Sequence, residues 1–129
     1  MGLDTSHGAW QGAYGAFMRF RTAIADALHL PPLELMEGFY DPSYPRVNIP
    51  DYWKLPIPWS SLNIHPAVRD FLTHSDCEGN LSPEQCADIA EELEKLVEDV
   101  DFVYGENTLE SFIGGLRRAA SAGEPLEFY

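Results

Sequence analysis

Two short runs concentrate the side chains able to do chemistry. LDTSHGAW places Asp4, Ser6, His7 and Trp10 near the amino terminus, and HSDCEG places His74, Ser75, Asp76, Cys77 and Glu78 in mid-chain. Near neutral pH, histidine and aspartate suit two tasks. They hold transition metals through imidazole and carboxylate, and they move protons to or from a substrate or a water. If the two runs face each other, His7, His74 and Asp76 form one polar site suited to catalysis, with Trp10 and Ser75 as its ligand-contacting neighbours. A purely structural reading stands beside this one. Ser75 and Asp76 would close a turn onto backbone amides, and His74 would end the preceding helix, where positive charge complements the macrodipole.

Two narrower readings of the second run are weaker. Setting Gly79 at the invariant glycine of a calcium loop puts His74 at the first ligand position and Gln85 at the last. Calcium prefers hard oxygen donors, and glutamine cannot supply the bidentate carboxylate, so tight calcium binding is not expected. His74 and Cys77 have zinc-like spacing, with Cys86 further on. But Cys86 repeats with the apolar positions of its own helix and reads as a buried, reduced thiol.

The elements that must position these runs follow from periodicity. Phe17, Phe20, Ile24 and Leu28 recur at helical spacing, predicting a helix over 11–28 that Pro31 and Pro32 terminate. Residues 31–66 are rich in proline and also carry Phe39, Tyr40, Tyr44, Tyr52, Trp53 and Trp59. Aromatics of that size bury large areas, so the segment reads as irregular chain wrapped over the core, with short extended pieces near RVNI and YWKLPI. A short helix is predicted over 66–72. Ser82, Pro83 and Gln85 make a capping box for a helix over 83–97, with Cys86, Ile89, Ala90, Leu93, Leu96 and Val97 inward and an acidic outer face. Gly105 breaks the chain, Asn107 or Thr108 caps a last helix, Gly123 stops it, and PLEFY reads as an edge strand.

The 129 residues suffice for one domain with its own core. Eight Lys and Arg stand against 21 Asp and Glu, a net charge of −13, which disfavours direct nucleic-acid binding and anionic membranes. No apolar run reaches a membrane span, and no export signal is evident, so a cytoplasmic setting is expected. The expected fold is a single compact α+β domain over 1–129, mostly helical, with about four helices, a long Pro/aromatic-rich irregular segment and minor β structure.

Three stretches, MGLDTSHGAWQGAYGAFMRFR, PPLELMEGFYD and LTHSDCEGNLSPEQCADIAEELEKL, together with the tail FIGGLRRA, resemble a group of small uncharacterised proteins of bacteriophages and bacteria. His7, Trp10, Tyr14, His74, Ser75, Asp76, Cys77 and Gly79 fall on the motifs of that group. The resemblance departs at Ala9, where the group often has Cys, and at Gln11, where it often has His. It implies a context but no activity. The functional expectation is therefore a polar His7/His74/Asp76 site binding a small molecule or a metal, with the cofactor unspecified. The other class is an acidic module that binds a basic protein, such as an inhibitor of a host factor. Oligomeric state stays open.

Overall fold

The computed structural model describes residues 2–43, 55–75, 78–100 and 108–129. Asp76, Cys77, Tyr44, Tyr52, Trp53, Gly105, Asn107 and the expected extended piece at RVNI lie outside the described residues.

The fold is a mostly helical α+β domain, with four helices and two small antiparallel sheets among the described residues. Strand β1 (Gly2–Asp4) pairs with β2 (Gln11–Ala13) around a tight turn at Ser6–Gly8. Helix α1 (Tyr14–Ala27) follows directly. The expected helix start at Gln11 is thus displaced: Gln11, Gly12 and Ala13 are extended because β1, which has no sequence signal, takes them as its partner. The end of α1 is a complete Schellman motif, with His29 N–H donating to Asp26 O and Leu30 N–H to Ala25 O. His29 occupies the left-handed position (φ 59°) that glycine usually fills.

Helices α2 (Pro66–Leu72), α3 (Pro83–Glu94) and α4 (Thr108–Ala122) follow, with β3 (Asn80–Leu81) between α2 and α3. The capping box forms as its residues predict. Ser82 Oγ accepts from Gln85 N–H at 3.1 Å, and Gln85 Oε1 accepts from Ser82 N–H at 2.8 Å. Gln85 also donates to Asp70 on α2 at 3.0 Å, so the last ligand position of the calcium alignment is committed to helix capping and helix–helix contact. Helix α3 stops three residues short of Val97, and residues 95–99 continue as turns.

The carboxy-terminal strand β4 (Leu126–Glu127) pairs with β3. It is not a free edge. Phe128 bridges to Thr5, and Asp4 and Tyr129 exchange both backbone hydrogen bonds at 2.8 and 2.9 Å. The tail therefore runs between the amino-terminal turn and the 74–81 loop. Around it lies an aromatic cluster of Trp10, Phe17, Phe20, Phe71, Phe112 and Phe128, with neighbouring ring centroids 5.0–6.4 Å apart. Trp59 is buried as well, and its indole N–H donates to Glu37 O. Among the described residues, no helix is long and apolar enough to cross a membrane.

Candidate functional site

His7 sits in a turn closed by Thr5. Thr5 N–H donates to Trp10 O at 3.0 Å, and Trp10 N–H donates to Thr5 Oγ1 at 2.8 Å. Inside the turn His7 and Gly8 both have positive φ, 59° and 66°. For a non-glycine residue this conformation is strained, and the cost falls on the surroundings that hold it. Arg118 of α4 supplies part of that hold, donating from Nε (3.0 Å) and Nη2 (2.7 Å) to His7 O. Gly115, also on α4, lets the turn lie directly against the helix. A Cβ there would fall 2.4 Å from Ala9 Cβ.

The His7 ring has two partners. Nδ1 lies 2.7 Å from Ser6 Oγ, and Nε2 lies 3.1 Å from Glu124 Oε1. Glu124 arrives there through the Schellman motif that ends α4, in which Gly123 N–H donates to Ala120 O and Glu124 N–H to Ala119 O. Gly123 has φ 67°, the helix stop its position in the sequence predicts. Ser6 Oγ in turn accepts from Glu127 N–H at 2.9 Å.

His74 meets the same tail from the other side. Its ring stacks on Phe128, with centroids 4.2 Å apart. Nδ1 lies 2.8 Å from Ser75 O and Nε2 3.0 Å from Asn80 O. Both partners are carbonyls, which only accept, so whichever ring nitrogen carries the proton has an acceptor within reach. Arg21, buried on α1, fixes the strand of chain just before, donating to Leu72 O at 3.1 Å and to His74 O at 2.7 Å. No periodicity argument singles out Arg21, because it falls on the apolar face of an otherwise ordinary amphipathic helix. Its capping of the last carbonyls of α2 appears only in three dimensions.

His7 and His74 therefore converge on residues 124–128 but reach different atoms there. Asp76 lies outside the described residues, and Ser75 contributes its carbonyl to the His74 ring. Among the described residues, no group of three His, Cys, Asp or Glu side chains is placed to hold a metal ion. Cys86 is a buried free thiol whose Sγ donates to Leu81 O. Desolvation by burial pushes it above the ordinary thiol range, partly opposed by a backbone hydrogen bond at Leu126.

Trp10 takes part in a different feature. It is one wall of a cleft of about 410 Å³ between the β1–β2 turn and the start of α4, with Asp4, Thr5, Gln11, Ser111 and Tyr129 also facing it. A second cleft of about 360 Å³ lies at the end of α1, beside Asp26, His29 and Asp99. Compared with protein-family models, curated proteins and solved structures, the chain matches none.

Proposed function

We propose that the protein binds a small polar molecule in the cleft beside Trp10. The observation that supports this most directly is the cleft itself. It is of ligand size and is lined by hydrogen-bonding side chains from the amino-terminal turn, the first turn of α4 and the carboxy-terminal residue. Asp4 contributes an acidic side chain to the lining, and among the described residues no lysine or arginine lines the cleft. That chemistry favours a neutral hydroxylated molecule or an amine over an anion, as does the net charge of −13. The metal form of the expectation, with His7, His74 and Asp76 as ligands, remains a separate proposal, checked by metal analysis of protein purified without a histidine tag. We place this function in a reducing cytoplasm, in keeping with the free thiol of Cys86, and in the phage and bacterial group that the sequence resembles.

Ligand-observed NMR with a set of small amines and polyols tests the cleft. Binders should lose affinity for Ser111→Trp, which fills the cleft from an exposed position on α4. Binders that hold Ser111→Trp as tightly as wild type, or no binders at all, would refute the reading. A second class, an acidic module for a basic protein partner, is favoured by one feature. Glu84, Asp88, Glu91 and Glu94 are exposed along α3, with Glu98 and Asp99 beyond it. Salt-sensitive binding to a polybasic peptide, lost on reversing those charges, would support that class instead.

A further inference from the structure

We propose that Ser6, His7 and Glu124 form a hydrolytic relay in which the Ser6 hydroxyl accepts acyl groups from small activated esters. The inference goes beyond the ligand-binding reading and does not rest on it, since neither Ser6 nor His7 lines the cleft.

The hydrogen bonds set the direction of the relay. Glu127 N–H donates to Ser6 Oγ, which occupies the oxygen as an acceptor. The hydroxyl proton then points to the remaining close partner, His7 Nδ1 at 2.7 Å. An Nδ1 that accepts leaves the ring proton on Nε2, which donates to Glu124 Oε1 at 3.1 Å. Nucleophile, base and orienting carboxylate are thus joined in the order a Ser-His-acid triad requires, with the roles of the two ring nitrogens exchanged. Glu124 comes from 117 residues away, so its place in the chain is a product of the fold. The strained backbone at His7, clamped by Arg118, fits a site where the fold sustains an unfavourable conformation. Ser6 and His7 are half-buried and Glu124 is exposed, so a small reagent can reach them.

In the reaction, Ser6 Oγ bonds to the acyl carbon as its proton passes to His7 Nδ1, while Glu124 stays ionised beside the imidazolium. The bond from the acyl carbon to the leaving alcohol oxygen breaks, and that oxygen takes the proton from Nδ1. Water then attacks the acyl carbon, giving a proton to Nδ1. The bond to Oγ breaks, and Ser6 recovers the proton. The net change is ester plus water to carboxylic acid plus alcohol. Ser6 Oγ shares its electrons with the Glu127 amide, which weakens it as a nucleophile and restricts the substrates to activated esters of small acids.

The test uses the full chain with p-nitrophenyl acetate, and separately with a fluorophosphonate followed by intact-mass and peptide analysis. The expected result is one fluorophosphonate adduct on Ser6. Nitrophenolate release should fall about 10²-fold or more, towards background, in Ser6→Ala and in His7→Gln. Glu124 is a positioning residue, so Glu124→Ala should be slowed, and added formate should restore rate to that variant and not to wild type. Melting curves of each variant report folding. Should Ser6→Ala fail to fold, labelling of the wild-type protein decides the matter. Folded wild-type protein that takes no adduct on Ser6 overturns the proposal. So does a folded Ser6→Ala that hydrolyses as fast as wild type, because an exposed histidine would then be the nucleophile. Neither result touches the cleft, which is probed by Ser111→Trp.

Discussion

Adjacent glycines on α4 should respond oppositely to the same substitution. Both Gly114 and Gly115 lie in the interior of a helix, where replacement by alanine gains roughly 1 kcal/mol of helix propensity. At Gly114 a new Cβ meets, among the described residues, the Arg118 side chain, with Nη1 at 3.3 Å its nearest atom. That atom is the far end of a flexible side chain, and it is not one of the nitrogens bonded to His7 O. At Gly115 the Cβ would fall 2.4 Å from Ala9 Cβ, 2.5 Å from Ala9 Cα and 2.7 Å from Ala9 N. Carbon atoms in contact normally sit about 3.5–4.0 Å apart, so the backbone of the 6–9 turn would have to retreat by roughly 1 Å. Overpacking of that kind costs about 1–3 kcal/mol. Gly114→Ala should therefore stabilise by roughly 0.5–1 kcal/mol and Gly115→Ala should destabilise by roughly 0–2 kcal/mol. Because the propensity gain is common to both, the difference between the two variants isolates the clash. Urea titration of wild type and both variants measures it, with slopes compared to confirm two-state unfolding. Variants that differ by less than about 0.5 kcal/mol would show that the turn does not rest on α4 as described.

Ser82→Ala should cost about 0.5–2 kcal/mol by removing the acceptor for Gln85 N–H, and a denaturant midpoint equal to wild type would place the start of α3 elsewhere. His74→Ala should cost roughly 1–3 kcal/mol through the lost ring hydrogen bonding and the stack on Phe128, and amide exchange should quicken at Asn80 and Leu81. Cys86 should resist a bulky thiol reagent until the protein unfolds. Its folded-state pKa is raised, so the native state holds the thiol proton to higher pH than the unfolded chain does. Stability from this group is complete below the ordinary thiol range and declines as pH rises through that range towards the folded value. Cys86→Ala should therefore lose less stability between neutral and alkaline pH than wild type, and equal losses would contradict the assignment.

Local signals carried much of this fold, and they carried it where the physics is local. The capping box at Ser82 and Gln85, the proline at the first position of α2 and the glycine after α4 each act within one helical turn, and each is found where the sequence puts it. The amino-terminal strand was not legible. Leu3 and Asp4 have no alternating pattern to announce them, and their partners Gly12 and Gln11 lie within the apparent period of α1. His29 marks a similar limit. Its sequence context reads as an ordinary helix end, but the Schellman geometry asks it to adopt a glycine conformation.

The candidate site divides along the same line. Both histidine runs were visible as clusters of chemically able side chains, but residue type does not say where ring nitrogens are spent. His74 holds both ring nitrogens against carbonyls of its own loop and lays its ring on Phe128, which makes it a staple between that loop and the tail. His7 spends one on a hydroxyl and one on a carboxylate, an arrangement that can pass a proton. The deciding partners are Glu124, just past the Gly123 helix stop, and the Glu127 amide, in a tail that reads as a simple edge strand. That tail became central because Asp4 and Thr5 supply hydrogen-bonding backbone on one side and Gly79 to Leu81 supply it on the other. The contrast between a histidine held against carbonyls and one held between a hydroxyl and a carboxylate is thus set by which side of one short strand each approaches.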